Sequence, residues 1–461
     1  MLRHALTLLL ALGCCCSALH ATPPNILHIH ADDHRADGLA ALGHPFVKTP
    51  NLDTLVARGT VFTHCYTQGS MIGAVCTPSR TMLLSGHSWQ RLPTTTGPKG
   101  GQQLKPGWDV SNTLPRVLAA AGYETWHCGK GGNEFTAALK SFQTNIEMND
   151  PGEERRLSSQ RHGDAAVKFL RERKKGRPFY MYLAPPVPHD PRITAPEFTG
   201  LYKPQDVPLP LAFMPQHPFD NGEMTVRDET LAPWPRTPED TRQQIADYYA
   251  CVTGLDYHVG RVLKELKESG ELDNTIIIFS GDNGLSLGEH GLFGKQNLYE
   301  FGGMHVPLVI AGPGIPKGRT DALVYLMDLF PTFCGFASAK VPEGVDGRAL
   351  QPILADNGAR VRDVLYTGYR NCQRAVRDQR WKLIRYPLVD KTQLFDLQAD
   401  PHELNNLAAK PGHEARIKEM TGLLEAEMQR YNDTFPLTVE HPASGEWTPP
   451  KNLPSAGEHG K

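Results

Sequence analysis

Cys76 stands directly before Thr77-Pro78-Ser79-Arg80 in the stretch GAVCTPSRTMLLSG, residues 73 to 86. Thr77 reads as a helix N-cap and Pro78 as the first helical residue. Met82, Leu83 and Leu84 continue the helix, and Gly86 stops it. Cys76 then lies at the positive end of a helix, where free backbone N–H groups favour an anion. Arg80 follows one turn in. These residue types suit a bound anion beside a reactive side chain.

Four other short stretches carry chemistry of the same kind, each at the end of an apolar run. Asp32-Asp33 follow NILHIH, Gly129-Lys130 follow YETWHC, His189-Asp190 follow FYMYLA, and Asp282-Asn283 follow NTIIIFS. In open α/β sheets, ligands bind beyond the carboxyl ends of strands. Asp32, Asp33, Asp282 and Asn283 are hard oxygen donors that suit Ca²⁺ or Mg²⁺ rather than zinc. Two adjacent carboxylates repel each other without a cation between them. Arg80, Lys130, Lys295 and His189 add positive charge. Singly, an Asp-Asn-Gly is a common turn and a lysine after a strand is usually solvated. Together with the Cys76 helix they define a site for a multiply oxygenated anion, such as a sulfate or phosphate ester.

The elements that must position these residues alternate along the chain. Strands are expected at 25–30, 123–128, 179–184, 274–280 and 306–311, the last two as near-continuous apolar runs. Helices are expected from Thr49-Pro50 to Arg58, over 110–121, 162–174 and 238–269. Such alternation implies a large, mostly parallel sheet flanked by helices on both faces. Residues 190 to 237 are proline-rich and lack periodicity, which points to a loop over the mouth of the site. After about residue 355, VLYTGYR, RAVRDQRWKLIRYP and TQLFDL read as consecutive antiparallel strands, followed by a helix near 413–430. The expected division is a signal peptide at 1–21, a catalytic α/β domain at 22–355, an α+β subdomain at 356–435 and a poorly ordered tail at 436–461.

The 461 residues carry a formal net charge of −2, so no global basic field points to nucleic acid or an anionic membrane. Arg3 and His4 precede a short apolar run and small residues, the pattern of a secretory signal ending near Ala18 or Ala21. The run is too short to cross a bilayer, and no other segment approaches ~20 apolar residues. The chain therefore reads as secreted or periplasmic. Cys14 to Cys16 also offer a place for a lipid anchor, although Ala11 stands where a leucine is usual. Beyond the signal, Cys65, Cys128, Cys251, Cys334 and Cys372 lack metal-type spacing and read as small buried residues.

These motifs resemble those of the type I sulfatases, in the alkaline-phosphatase-like superfamily. Cys76-Thr77-Pro78-Ser79-Arg80 matches the Cys-x-Pro-Ser-Arg signature. PNILHIHADDHRADGL resembles the family's opening strand and Asp pair, and KTPNLDTLVARGTVFTHCY the helix that follows. IIIFSGDNG and GEHGLFGK resemble the late metal motif and the sulfate-contacting lysine motif. The likeness runs from about residue 24 to about 410. It implies an alkaline-phosphatase-like α/β sandwich with a small C-terminal antiparallel sheet and a packed helix.

By that resemblance, a maturation enzyme converts Cys76 to Cα-formylglycine. One hydroxyl of its hydrate attacks sulfur, and the second later expels sulfate. Asp32, Asp33, Asp282, Asn283 and residue 76 would ligate Ca²⁺, or alternatively Mg²⁺. Arg80 would orient the formylglycine, Lys130 and Lys295 would bind sulfate oxygens, and His189 would protonate the leaving alcohol. One position departs from the family pattern: GKGGNEF places Gly132 where Gly-Lys-Trp-His has a histidine. His127, His290 and Asn133 are the candidates to replace it.

The implied substrate is a sulfated glycan. Tyr369, Arg370, Arg374, Arg377 and Trp381 could bind it, since arginine suits anionic groups and aromatics stack on sugars; as strand residues they could equally be packing. Two other readings remain open. One is a phosphodiesterase or phosphonate monoester hydrolase of the same superfamily. The other is a catalytically weak glycan-binding protein.

Overall fold

The computed structural model of the protein describes residues 23–96, 102–132 and 134–450. The expected signal segment, Cys14 to Cys16, Asn133 and residues 451–461 lie outside them. The first strands are β1 (Asn25–Ala31), β2 (Gly59–Tyr66), β3 (Gly69–Ser70), β4 (Thr94–Thr96) and β5 (Gln102–Leu104). Next come β6 (Glu124–Gly129), β7 (Thr144–Glu147), β8 (Phe179–Ala184), β9 (Thr275–Gly281), β10 (His305–Ala311) and β11 (Gly318–Tyr325). The last four are β12 (Leu365–Tyr369), β13 (Gln373–Arg377), β14 (Trp381–Tyr386) and β15 (Lys391–Asp396).

Eight of these strands form one sheet in the order β11-β2-β10-β9-β1-β8-β6-β7. Strand β10 runs antiparallel to both β9 and β2, while every other pairing in the sheet is parallel. The period-two alternation of side chains then sorts each strand into two cores. Ile26, Tyr180, Tyr182, Ile276 and Ile278 face one side, under Leu83 and Leu84 of the helix Cys76–Ser85 and Phe330 and Phe333 of Leu329–Phe336. Leu27, Ile29, Met181, Leu183, Ile277 and Phe279 face the other, under the helices Pro50–Arg58, Ser158–Glu172 and Pro238–Glu268. Burial on both faces explains why β9 reads TIIIFSG with no polar alternation.

The sequence reading needs several corrections. Residues 59–66, read with the preceding helix, form β2 in the large sheet. The helix that carries Cys76 begins at that residue, with Val75 as the capping residue, so Thr77 lies within the first turn rather than before it. Ser79 donates its hydroxyl to the Asp282 carbonyl and ties that turn to the end of β9, a tertiary contact that local capping preference does not contain. Gly86 does end the helix, at φ +73, with its N–H on the Met82 carbonyl at 2.7 Å. Residues 436–450 are not a loose tail. Trp447 packs on Trp234 at 5.2 Å between ring centroids, Asp220 N–H donates to the Gly445 carbonyl, and Arg385 donates to the Leu437 carbonyl.

The small sheet runs β15-β14-β13-β12-β3. Its four C-terminal strands are antiparallel, and Leu424 and Met428 of the helix Glu414–Arg430 join its core. The fifth strand, β3, comes from the residues just ahead of Cys76 and pairs in parallel with β12. Gly69 is required there: a Cβ would sit 2.1 Å from the Gly368 carbonyl oxygen.

Two histidines inside the large sheet make its stability pH-dependent. Burial pulls the imidazoles of His28 and His127 down to about 3, and the Arg80 charge adds to the effect on both. Their folded values lie below the ordinary 6.5, so the unfolded chain binds protons that the folded chain refuses. Stability is therefore fully present above pH 6.5 and is lost as pH falls toward 3, by about 1.4 kcal/mol per pH unit for each imidazole. Urea unfolding between pH 7 and 4.5 should show this loss, and His127→Gln should flatten the slope by about 1 kcal/mol per unit. An unchanged slope would show that His127 titrates normally in the fold.

Candidate active site

Four strand ends deliver side chains to the N-terminus of the helix Cys76–Ser85. Strand β1 hands over directly to Asp32 and Asp33, and Asp33 takes φ +61, a left-handed turn that aspartate tolerates. Lys130 follows β6, Asp282 and Asn283 follow β9, and His189 lies five residues beyond β8. Lys295 arrives from the coil after β9.

These residues meet around residue 76. Cys76 Sγ lies 3.4 Å from Asp32 Oδ1, 3.7 Å from Asp33 Oδ1 and 3.3 Å from Lys295 Nζ. Lys295 Nζ also bridges both Asp33 oxygens, at 2.7 and 2.9 Å, and Lys130 pairs with Asp32. His189 places Nε2 3.8 Å from Asp33 Oδ2, while its Nδ1 lies 2.6 Å from the Asp190 carbonyl oxygen. That carbonyl can only accept, so Nδ1 carries the hydrogen and Nε2 faces the site. The structure thus brings together Cys76, Lys130, His189, Lys295, Asp32 and Asp33.

Asp282 and Asn283 hold the floor. Asp282 Oδ1 accepts from the backbone N–H groups of Asp33 and Asn283, at 2.9 and 2.8 Å, and Oδ2 accepts from Arg80 Nε at 2.8 Å. Asn283 Nδ2 donates to Asp33 Oδ1 and to the Gly284 carbonyl, both at 2.8 Å, which leaves its buried Oδ1 with no protein partner. Ligand atoms of Asp32, Asp33, Cys76 and His189 all lie within 4.8 Å of one another. This group does not include Asp282, whose carboxylate is turned toward Arg80.

The electrostatics follow from burial and crowding. Burial pushes the Asp32 carboxyl up, but Lys130, His189, Arg80 and Lys295 outweigh it and hold the group well below the usual carboxylate range. Asp33 is likewise lowered, against its burial, by His189 and Lys295. Asp282 goes the other way: burial and the Asp32 charge raise it. Burial and Asp282 also push the Cys76 thiol well above its ordinary value, so an unaltered Cys76 is a protonated, poor nucleophile. Three close carboxylates and an orphaned amide oxygen are a donor set that fits a hard divalent cation.

Other expected residues lie elsewhere. His127 is buried against Asn145 and the Tyr182 ring, and His290 is stacked on Tyr299 at 3.8 Å, so neither replaces the absent histidine at Gly132. Arg374 is fully buried on Asp433 at 2.5 Å, and Arg377 is buried on Glu300 at 2.8 Å; both are structural. Tyr369 is buried with its hydroxyl on the Gly73 carbonyl, and Trp381 stacks under Arg380 and Arg416. Of that group only Arg370 presents a largely exposed guanidinium next to the loop before Cys76, paired with Glu223. Cys65, Cys128, Cys251, Cys334 and Cys372 are free and buried, as expected.

Some residues of the site escaped the sequence reading. Glu134 pairs with Arg80 from inside the protein. Asp228 lies 4.0 Å from Lys295 Nζ, and Arg227 clamps Asp190 behind His189. The last two belong to the irregular 190–237 segment, which contains the short turns Pro204–Asp206 and Arg227–Leu231.

Comparison with known proteins agrees with this geometry. The sulfatase family model matches residues 24–339, and a model of the N-sulphoglucosamine sulphohydrolase C-terminal region matches 288–430. An N-acetylglucosamine-6-O-sulfatase from Bacteroides thetaiotaomicron is 27% identical, over 93% of this chain and 92% of that protein. A solved enzyme in complex with its substrate D-glucosamine-2-N,6-O-disulfate superposes with a TM-score of 0.75 at 25% identity, over 90% of this chain and 99% of that one. A phosphonate monoester hydrolase from Silicibacter pomeroyi shares the fold, with a TM-score of 0.72 at 22% identity over 89% of this chain and 96% of that one. The chain belongs to the sulfatase family of the alkaline-phosphatase-like superfamily, and is a sulfuric ester hydrolase.

Proposed function

We propose that the protein removes sulfate from a sulfated saccharide, with residue 76 acting as the nucleophile after conversion to formylglycine. The observation that carries this reading is the contact of Cys76 Sγ with Asp32, Asp33 and Lys295 at a helix N-terminus. Sγ stands where an oxygen of the converted residue would be. The saccharide is supported by the similarity to an N-acetylglucosamine-6-O-sulfatase and to an enzyme solved with a glucosamine disulfate. Export of the protein rests on the N-terminal sequence. Among the described residues, no helix is long and apolar enough to cross a membrane.

Asp32, Asp33, Asn283 and residue 76 would hold a Ca²⁺ or Mg²⁺ ion, with a free lone pair of Asp282 behind them. When bound, the cation supplies Lewis-acid polarisation and favours an oxygen nucleophile at residue 76. The formylglycine hydrate supplies two hydroxyls, one to attack sulfur and one to release it. Lys130 and Lys295, held by Asp32 and Asp33, would shift onto sulfate oxygens. His189, its Nδ1–H held by the Asp190 carbonyl, turns Nε2 toward the site, and as an imidazolium it would give the leaving alcohol its proton from Nε2.

Protein carrying formylglycine at 76 should release sulfate from a panel of sulfated saccharides that includes glucosamine 6-sulfate, and should do so faster than it cleaves a phosphonate monoester. The opposite preference would assign it to the hydrolases of the second fold neighbour. Binding without turnover would make it a glycan-binding protein. Lys295→Ala should lower kcat roughly 10²–10³-fold.

Chelation should abolish turnover, and Ca²⁺ or Mg²⁺ should restore it. Asp33→Asn should lose most of the bound metal by elemental analysis; undiminished metal content would remove Asp33 from the ligand set.

Protein made without the maturation enzyme keeps Cys76 as a thiol. Native protein at pH 8 should resist alkylation at Cys76, and denatured protein should label there. Rapid native labelling would contradict the burial and raised pKa of this thiol.

A further inference from the structure

Arg80 is buried completely, and its three guanidinium nitrogens are not used alike. Nε is taken by Asp282 at 2.8 Å and Nη1 by Glu134. Nη2 has no hydrogen-bond partner and points toward Asp32, 3.7 Å from Oδ2. On the far side of Asp32, Oδ1 lies 3.4 Å from Cys76 Sγ. The guanidinium nitrogen without a hydrogen bond thus faces Asp32, the carboxylate whose other oxygen touches residue 76. A guanidinium this close to Asp32 would swing onto it if nothing held the opposite nitrogen, since a planar arginine prefers a paired carboxylate.

Glu134 is what holds that nitrogen. Its side chain has no solvent exposure, and its second oxygen has no protein partner. The charges of Arg80, Lys130 and Asp282 lie near it, together with the buried phenols of Tyr180 and Tyr182. Burial raises its carboxyl to about 7 against the opposing charges of Arg80 and Lys130. A carboxylate kept in such a place at that cost needs a reason beyond packing. Two residues away, Gly132 is open: a Cβ there would meet nothing within 4 Å. Among the described residues after Lys130, position 132 thus contributes no side chain, and Glu134 reaches Arg80.

We propose that Glu134 is a positioning residue of the active site: by engaging Arg80 Nη1 it keeps Nη2 free for the anion that reacts at residue 76. The assignment rests on residue 76 being the reacting centre. No bond is made or broken at Glu134.

The test uses full-length, formylglycine-bearing protein and an aryl sulfate as probe. Glu134→Gln keeps the shape and an acceptor oxygen but removes the charge. It should fold, carry the same formylglycine content, and melt within a few degrees of the parent. Its kcat should fall roughly 10–100-fold, with KM changed less. Glu134→Asp should recover part of the loss. Arg80→Lys cannot use two separate nitrogens, so Glu134→Gln added to it should cost nothing further. A crystal structure of Glu134→Gln should show the guanidinium turned onto Asp32. Parental kcat in Glu134→Gln, full additivity with Arg80→Lys, or an unmoved Arg80 would each overturn the proposal. If the parent itself releases no sulfate, the functional reading fails, and the position of Arg80 in the variant crystal still decides the role of Glu134.

Discussion

A guanidinium with no access to water is the fixed point of this active site. A buried charge is tolerable only when it is paired and hydrogen-bonded, and removing one partner of such a pair typically costs about 3–5 kcal/mol. Arg80 meets that demand with hydrogen bonds to Asp282 from the end of β9 and Glu134 from the segment after β6, while Asp32 from the end of β1 stands 3.7 Å from its third nitrogen. One side chain on the catalytic helix thereby registers three separate strand ends against each other. Lys130 and Lys295 then neutralise the carboxylates that Arg80 leaves over. The cluster is a charge-balanced lattice in which each group's position is set by its opposite.

The small sheet is joined to this lattice by polar as well as apolar contacts. Glu300 accepts from Tyr66 of β2, from Arg377 of β13 and from Lys382 of β14, and Lys382 also reaches Glu403. Tyr66 and His305 stack at 4.5 Å between centroids beside the same carboxylate. The C-terminal strands are thus bonded through buried ions to the end of β2, one strand in from the edge of the large sheet. That arrangement gives Arg377 of β13 a structural purpose.

Most of the large sheet was legible because double-sided burial leaves a visible mark: TIIIFSG and FYMYLA admit few other readings. The strand ends were legible because residue types there serve chemistry and not packing. Strand β2 was not, since GTVFTHCY alternates only partly and follows a helix without a clear break. Arg374 and Arg377 misled for a different reason. Their partners, Asp433 and Glu300, lie 59 and 77 residues away, and no local pattern tells a paired arginine from a free one. Glu134 was missed likewise, because its meaning depends on Arg80, 54 residues earlier. The docking of residues 436–450 was hidden by their composition, rich in proline, although Trp447 was a signal that the segment had something to bury.

Strand β3 carries a temporal consequence. The two residues Gly69 and Ser70 pair with β12, and Tyr369 at its end holds the Gly73 carbonyl of the loop leading to Cys76. The surroundings that enclose residue 76 therefore include chain made about 290 residues later. During synthesis at roughly 5–20 residues per second, that separation corresponds to an interval of about 15–60 seconds. Throughout it, the cysteine motif is already made while part of its enclosure does not yet exist. The order of the chain itself sets a clock for any chemistry that must reach Cys76 before the fold closes over it.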